Sequence, residues 1–167
     1  MKKICLLLFT TILAVNVAYA QSEWVNYKIC DKLSVKLPAQ PTRLNENGVY
    51  IKDKDSTVYI VAMVDFFKIE GIDSVKMGTQ APTPEFANNL KTGMLGQMQG
   101  TTMGDVNIGK WKAYTSYSMA GTNASNKLKF YCFMVFIGSN VYSLMVWAPE
   151  SHNTKQKEAY FSSLVLN

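Results

Sequence analysis

Two apolar runs near the end of the chain, Phe130-Tyr131-Cys132-Phe133-Met134-Val135-Phe136-Ile137 and Val141-Tyr142-Ser143-Leu144-Met145-Val146-Trp147, are joined by Gly138-Ser139-Asn140. β-Branched and aromatic residues favour strands, and a Gly-Ser-Asn break between two such runs predicts an antiparallel hairpin. Taken as a three-residue loop, the break sets Ile137 against Val141, Val135 against Ser143, Phe133 against Met145 and Tyr131 against Trp147. The other face then pairs Phe136 with Tyr142, Met134 with Leu144 and Cys132 with Val146. Both faces are apolar, so this hairpin needs cover on each side.

The cover is also legible. Phe86, Leu90, Met94 and Met98 recur every four residues, Thr83 stands where a helix cap belongs and Glu85 in the favourable first turn, so a helix is expected from Pro84. Gly93 and Gly96 weaken that helix by about 1 kcal/mol each relative to alanine. They mark either close approach to a sheet or an early end. A second short helix, around residues 154–162, offers Tyr160 and Phe161. Further strands are expected on either side of an Asp31-Lys32 turn, at 49–51 and 57–67 around a polar turn at 52–56, and at 105–109 and 111–119. Residues 68–83 lack a period and read as a loop with at most one helical turn. The pattern predicts a single α+β domain over residues 21–167: a twisted, mainly antiparallel sheet flanked by helices, with a β-barrel plugged by a helix as the alternative.

The start of the chain sets the compartment. Lys2 and Lys3, an apolar run at 4–17 and Ala18-Tyr19-Ala20 form the pattern of a secretory leader cleaved before Gln21. Removing 20 of 167 residues leaves 147, enough for one domain with its own core, and no later stretch is long and apolar enough for a transmembrane anchor. The expectation is an exported protein, periplasmic or secreted, engaging an envelope protein or a small ligand. Cys5 leaves with the leader. Of 17 Lys+Arg against 12 Asp+Glu, Lys2 and Lys3 also leave, so 15 face 12 and the mature formal charge is +3. Those cations are scattered among strands, the pattern of a solvated rim, and nucleic acid is not an expected partner.

Chemistry is sparse. His152, the single histidine, has no Gly-x-Ser-x-Gly elbow or similar nucleophile motif to serve. Asp53-Lys54-Asp55 lacks the oxygen ligands and glycine of a calcium loop, and Gly93 to Gly100 is followed by Thr101 instead of the lysine of a phosphate cradle. No cofactor is expected, and no catalytic set is assigned. Two alternatives stay open: a hydrolase whose residues are scattered in sequence, and a Cu(I) site of Met94, Met98 and Met103, since thioethers favour that ion. Against the copper reading, Met94 and Met98 continue the helix's apolar stripe. Export allows a Cys30–Cys132 disulfide; the competing reading makes Cys132 a core residue and Cys30 a strand end. Among the aromatics, Trp111, between Lys110 and Lys112, is the candidate for a partly exposed binding platform.

Leu33-Ser34-Val35-Lys36-Leu37-Pro38-Ala39-Gln40-Pro41, Val141-Tyr142-Ser143-Leu144-Met145-Val146 and Phe161-Ser162-Ser163-Leu164, in this order, resemble the PsbP-like family. This α/β/α sandwich is named for an extrinsic photosystem subunit and shared with a Ran-binding import factor. The resemblance covers most of the mature chain and implies the sandwich layout. It implies no catalytic residues, and the metal-binding histidines of photosynthetic members have no counterpart set here. The expectation is therefore a noncatalytic binding or accessory module of the bacterial envelope.

Overall fold

The computed structural model describes residues 24–152 and 155–167; the expected leader at 1–20, its expected cleavage point at Gln21 and Thr154, where a helix was expected to begin, lie outside them. In chain order the elements are β1 (Val25–Cys30), β2 (Leu33–Leu37), β3 (Thr42–Asn45), β4 (Gly48–Lys52), β5 (Val58–Asp65), α1 (Phe66–Glu70), α2 (Ser74–Gln80), α3 (Pro84–Gln97), β6 (Thr101–Met103), β7 (Asn107–Trp111), β8 (Tyr114–Asn123), β9 (Leu128–Ile137), β10 (Asn140–Pro149), α4 (Lys155–Ser162) and β11 (Val165–Leu166). The large sheet runs β3-β4-β5-β10-β9-β8-β6, and β7 lies on β8 beside β6. A small sheet runs β1-β2-β11. The large sheet is open, with β3 at one edge and β6 and β7 at the other, so the barrel alternative is not what forms.

The hairpin β9–β10 is central, as its two apolar faces require. Its register differs from the expected one: Asn140 pairs with Ile137, Tyr142 with Val135, Ser143 with Met134 and Met145 with Cys132. Gly138 alone in the turn has positive φ, 62°, so Gly138-Ser139 closes a two-residue turn of the type that wants glycine first. The one-residue shift changes which side chains share a face. Phe130, Cys132, Met134, Phe136 and Val141 join a cluster with Tyr117 and Met119 on one side. Val135, Tyr142, Leu144 and Val146 join Leu33, Val35, Leu37, Tyr59 and Tyr160 on the other.

Each side has its own cover. The small sheet and α4 close the second cluster, with Tyr160 fully buried and its hydroxyl donating to the Ile60 carbonyl at 2.8 Å. Helices α1, α2 and α3 lie over the first. Residues 66–80 form two short helices where the end of a strand and a loop with at most one helical turn were expected, because each has a cap the apolar period does not reveal. Asp65 accepts from the Phe67 and Lys68 amides, Gly71 ends α1 at φ 65°, and Asp73 accepts from Lys76. Thr83 caps α3 through the Phe86 amide, as the sequence predicts. β3, β6 and β11 are too short to carry a period.

Candidate functional site

Helix α3 does not lie flat on the sheet. Of its residues only Ala87 is buried, while the stripe Phe86, Leu90, Met94 and Met98 faces the sheet half-buried. Between this stripe, α1 and the middle of the large sheet is a groove of about 850 Å³. Its floor is made of small or flexible side chains: Ala62 and Val64 of β5, Val141, Ser143 and Met145 of β10, and Met134 of β9. A floor of Ala and Ser leaves the space that larger residues would fill. An added Cβ at Gly93 or Gly96 would meet nothing within 4 Å, so neither glycine marks a close approach; the helix runs through Gly93 and ends one residue after Gly96, at Gln97.

One end of the groove is held by aromatics. Phe66 and Phe86 lie 5.8 Å apart, Phe86 and Phe136 6.2 Å, and Tyr117 and Phe136 4.5 Å. Tyr117 is fully buried and its hydroxyl donates to the Ala81 carbonyl, which fastens the end of α2 to the sheet. Burial pushes the Tyr117 phenol up to about 12, so it stays a neutral donor at physiological pH. No lysine or arginine lines the groove; its carboxylates are Glu70 and Glu85, both exposed.

The structure redistributes the methionine candidates. Met94 and Met98 line the groove together with Met134 and Met145, whereas Met103, on β6, is not among the lining residues. Sequence reasoning missed Met134 and Met145 because the expected register put them on opposite faces. Among the described residues no three His, Cys, Asp or Glu side chains group as metal ligands.

The two cysteines are free thiols in clusters on opposite faces of the large sheet, which corrects the disulfide expectation. Cys132 is 2% exposed and burial pushes its thiol well up. Cys30 is half-buried and donates to the Tyr142 hydroxyl at 3.6 Å. Alkylation of the native protein followed by mass spectrometry should therefore modify Cys30 and leave Cys132 unmodified until denaturant is added; a bridged species lost only with reductant would contradict this arrangement.

His152 lies in a small pocket of about 230 Å³ with Asp55, Thr57, Tyr59 and Gln156. Among the described residues its Nδ1 has no hydrogen-bond partner, so none of their carboxylates orients the ring through that nitrogen as a triad would require. Tyr59 points its hydroxyl at Gln156 Oε1, 2.9 Å, and Asp53 Oδ2, 3.3 Å; burial, then the Asp53 charge, pushes that phenol well up. Asp53 Oδ1 accepts from the Asp55 and Thr57 amides, the work of a turn residue.

Trp111 ends β7 half-buried, on the α4 side of the large sheet. It lines a cleft of about 550 Å³ shared with Tyr131, Phe133, Lys157, Glu158 and Phe161.

The architecture is similar to the solution structure of cyanobacterial PsbP (CyanoP) from Synechocystis sp. PCC 6803, with a TM-score of 0.67 at 12% identity, covering 89% of this chain and 95% of that one. It is also similar to a crystal structure of a protein from Bacteroides thetaiotaomicron VPI-5482, TM-score 0.54 at 11% identity, over 88% of this chain. That match spans 49% of the Bacteroides chain. No family model and no curated protein matches. The chain has the PsbP-like fold that its strand and helix order implied, and likeness at this identity carries the fold alone.

Proposed function

We propose that this protein is an exported, noncatalytic binding module that holds an elongated apolar small molecule in the groove between α3 and the large sheet. The observation that carries the reading is a helix whose whole apolar stripe stays half-buried over a floor of Ala62, Ser143 and methionines. Each ligand methylene withdrawn from water there contributes about 0.8 kcal/mol before the costs of association. Methionine side chains adapt to varied shapes, which suits a flexible chain. With Glu70 and Glu85 at the rim and no cation in the lining, the ligand's polar end is neutral or cationic. Export rests on the leader pattern of residues 1–20, and no helix among the described residues is long and apolar enough to cross a membrane.

A fluorescence titration with N-phenylnaphthylamine tests the reading. The probe should bind saturably, dodecylamine and dodecanol should displace it better than dodecanoate, and Leu90→Asp should weaken it by about tenfold or more. Absence of a saturable signal, or an unchanged affinity in Leu90→Asp, would sink the proposal. The four groove methionines supply the one observation favouring the copper reading. Cu(I) binding tighter than micromolar, lost in Met134→Leu together with Met145→Leu while the probe still binds poorly, would reassign the groove to the metal.

A further inference from the structure

The cleft at Trp111 lies on the other face of the large sheet from the groove, and its composition differs in kind. The floor is aromatic: Trp111 from β7, Phe133 from β9 and Phe161 from α4, the last two with ring centres 6.1 Å apart. The margins are polar, with Asn107 on the strand side and Glu158 on the helix side, both exposed. Glu158 is held in place by Lys157, 2.7 Å away, and Lys157 is itself only 16% exposed with its ammonium 4.2 Å from the Tyr131 ring centre. A carboxylate paired on one oxygen keeps further lone pairs turned to solvent as acceptors.

Lys112 borders Trp111 outside the cleft lining. It occupies the two-residue turn between β7 and β8 at φ 54°, a conformation that favours glycine, and places its ammonium 5.0 Å from the Trp111 ring centre.

We propose that this cleft binds a saccharide, its rings seated on Trp111 and Phe161 and its hydroxyls bonded to Glu158 and Asn107. A pyranose has the matching anatomy: one face of C–H groups, which suits an aromatic ring, and an edge of hydroxyls that both donate and accept. A purely apolar chain would make no use of the polar groups of Glu158 and Asn107, and the groove on the other face serves such a chain better. The cleft's volume lies within the range of small-ligand sites.

The test is a two-dimensional ¹⁵N NMR titration of the mature protein with chitotriose, cellotriose and maltotriose at millimolar concentration, and with unstructured tetrapeptides alongside. The chain has three tryptophans, so three indole N–H signals report separately on Trp24, Trp111 and Trp147. At least one saccharide should shift the Trp111 indole and the amides around Phe161 saturably while leaving that of Trp147, on the groove side, in place. Trp111→Ala and Glu158→Gln should each weaken that binding by about tenfold with unchanged groove-probe affinity, and Glu158→Gln with unchanged thermal unfolding as well. The inference is overturned if no saccharide produces saturable shifts at Trp111, if tetrapeptides do so instead, or if both variants bind as the parent does.

Discussion

Replacing Tyr160 by alanine is expected to cost about 3–5 kcal/mol of stability, the range for removing a large buried ring. Tyr160 is 0% exposed, stands edge-on to Tyr59 with ring centres 5.3 Å apart, and is the buried residue of α4. The loss combines a cavity at the junction of two sheets and a helix with the loss of the bond to the Ile60 carbonyl. Tyr160→Phe separates the two contributions: it keeps the packing and should cost about 1 kcal/mol through the lost hydrogen bond, since Ile60 keeps its place in the β4–β5–β10 ladders. Urea unfolding followed by tryptophan fluorescence measures both. Equal costs for the two variants would mean that the hydrogen bond, and not the ring, holds α4. Since α4 also carries Phe161 and Glu158, Tyr160→Ala should weaken the Trp111 cleft more than the groove.

How far the sequence could be read follows from where its signals are local. The α3 stripe, its Thr83 cap and the β8–β9–β10 succession each announce themselves within a dozen residues, and all three are in the fold. The groove does not announce itself, because it is made by strands far apart in sequence: Ala62 and Ser143 are neighbours only once β5 pairs with β10. The hairpin register decided the rest. Reading Gly138-Ser139-Asn140 as a three-residue loop separates Met134 from Met145, while the two-residue turn unites them under α3. Trp111 was legible as a candidate from its lysine neighbours and turn position, but Phe161 and Glu158 reach it from the far end of the chain.

A glycine in β8 sets the second large effect. At Gly121 an added Cβ would lie 2.2 Å from the Thr102 carbonyl oxygen and 3.2 Å from Met103 Cα, so the obstacle is backbone and cannot rotate away. Gly121→Val should therefore cost about 3 kcal/mol and push β6 off the sheet edge. The damage should reach the groove, because β6 ties down the end of α3. The Thr101 amide donates to the Met98 carbonyl at 3.1 Å, and Asn123 Nδ2 donates to the Gln99 carbonyl at 3.0 Å. With those bonds lost, the wall carrying Met94 and Met98 loosens and N-phenylnaphthylamine affinity should fall with stability. Gly109, in β7, is the control: an added Cβ there meets only the Ser116 hydroxyl at 3.6 Å, an ordinary contact, and its φ is not positive. Gly109→Ala should be neutral or stabilising by about 0.4–1 kcal/mol, since it narrows the unfolded ensemble without straining the strand. If chemical unfolding and probe titration find the two variants alike, the close approach of β6 to β8 is not what positions α3, and the groove's far wall must be held by the sheet contacts of its own stripe.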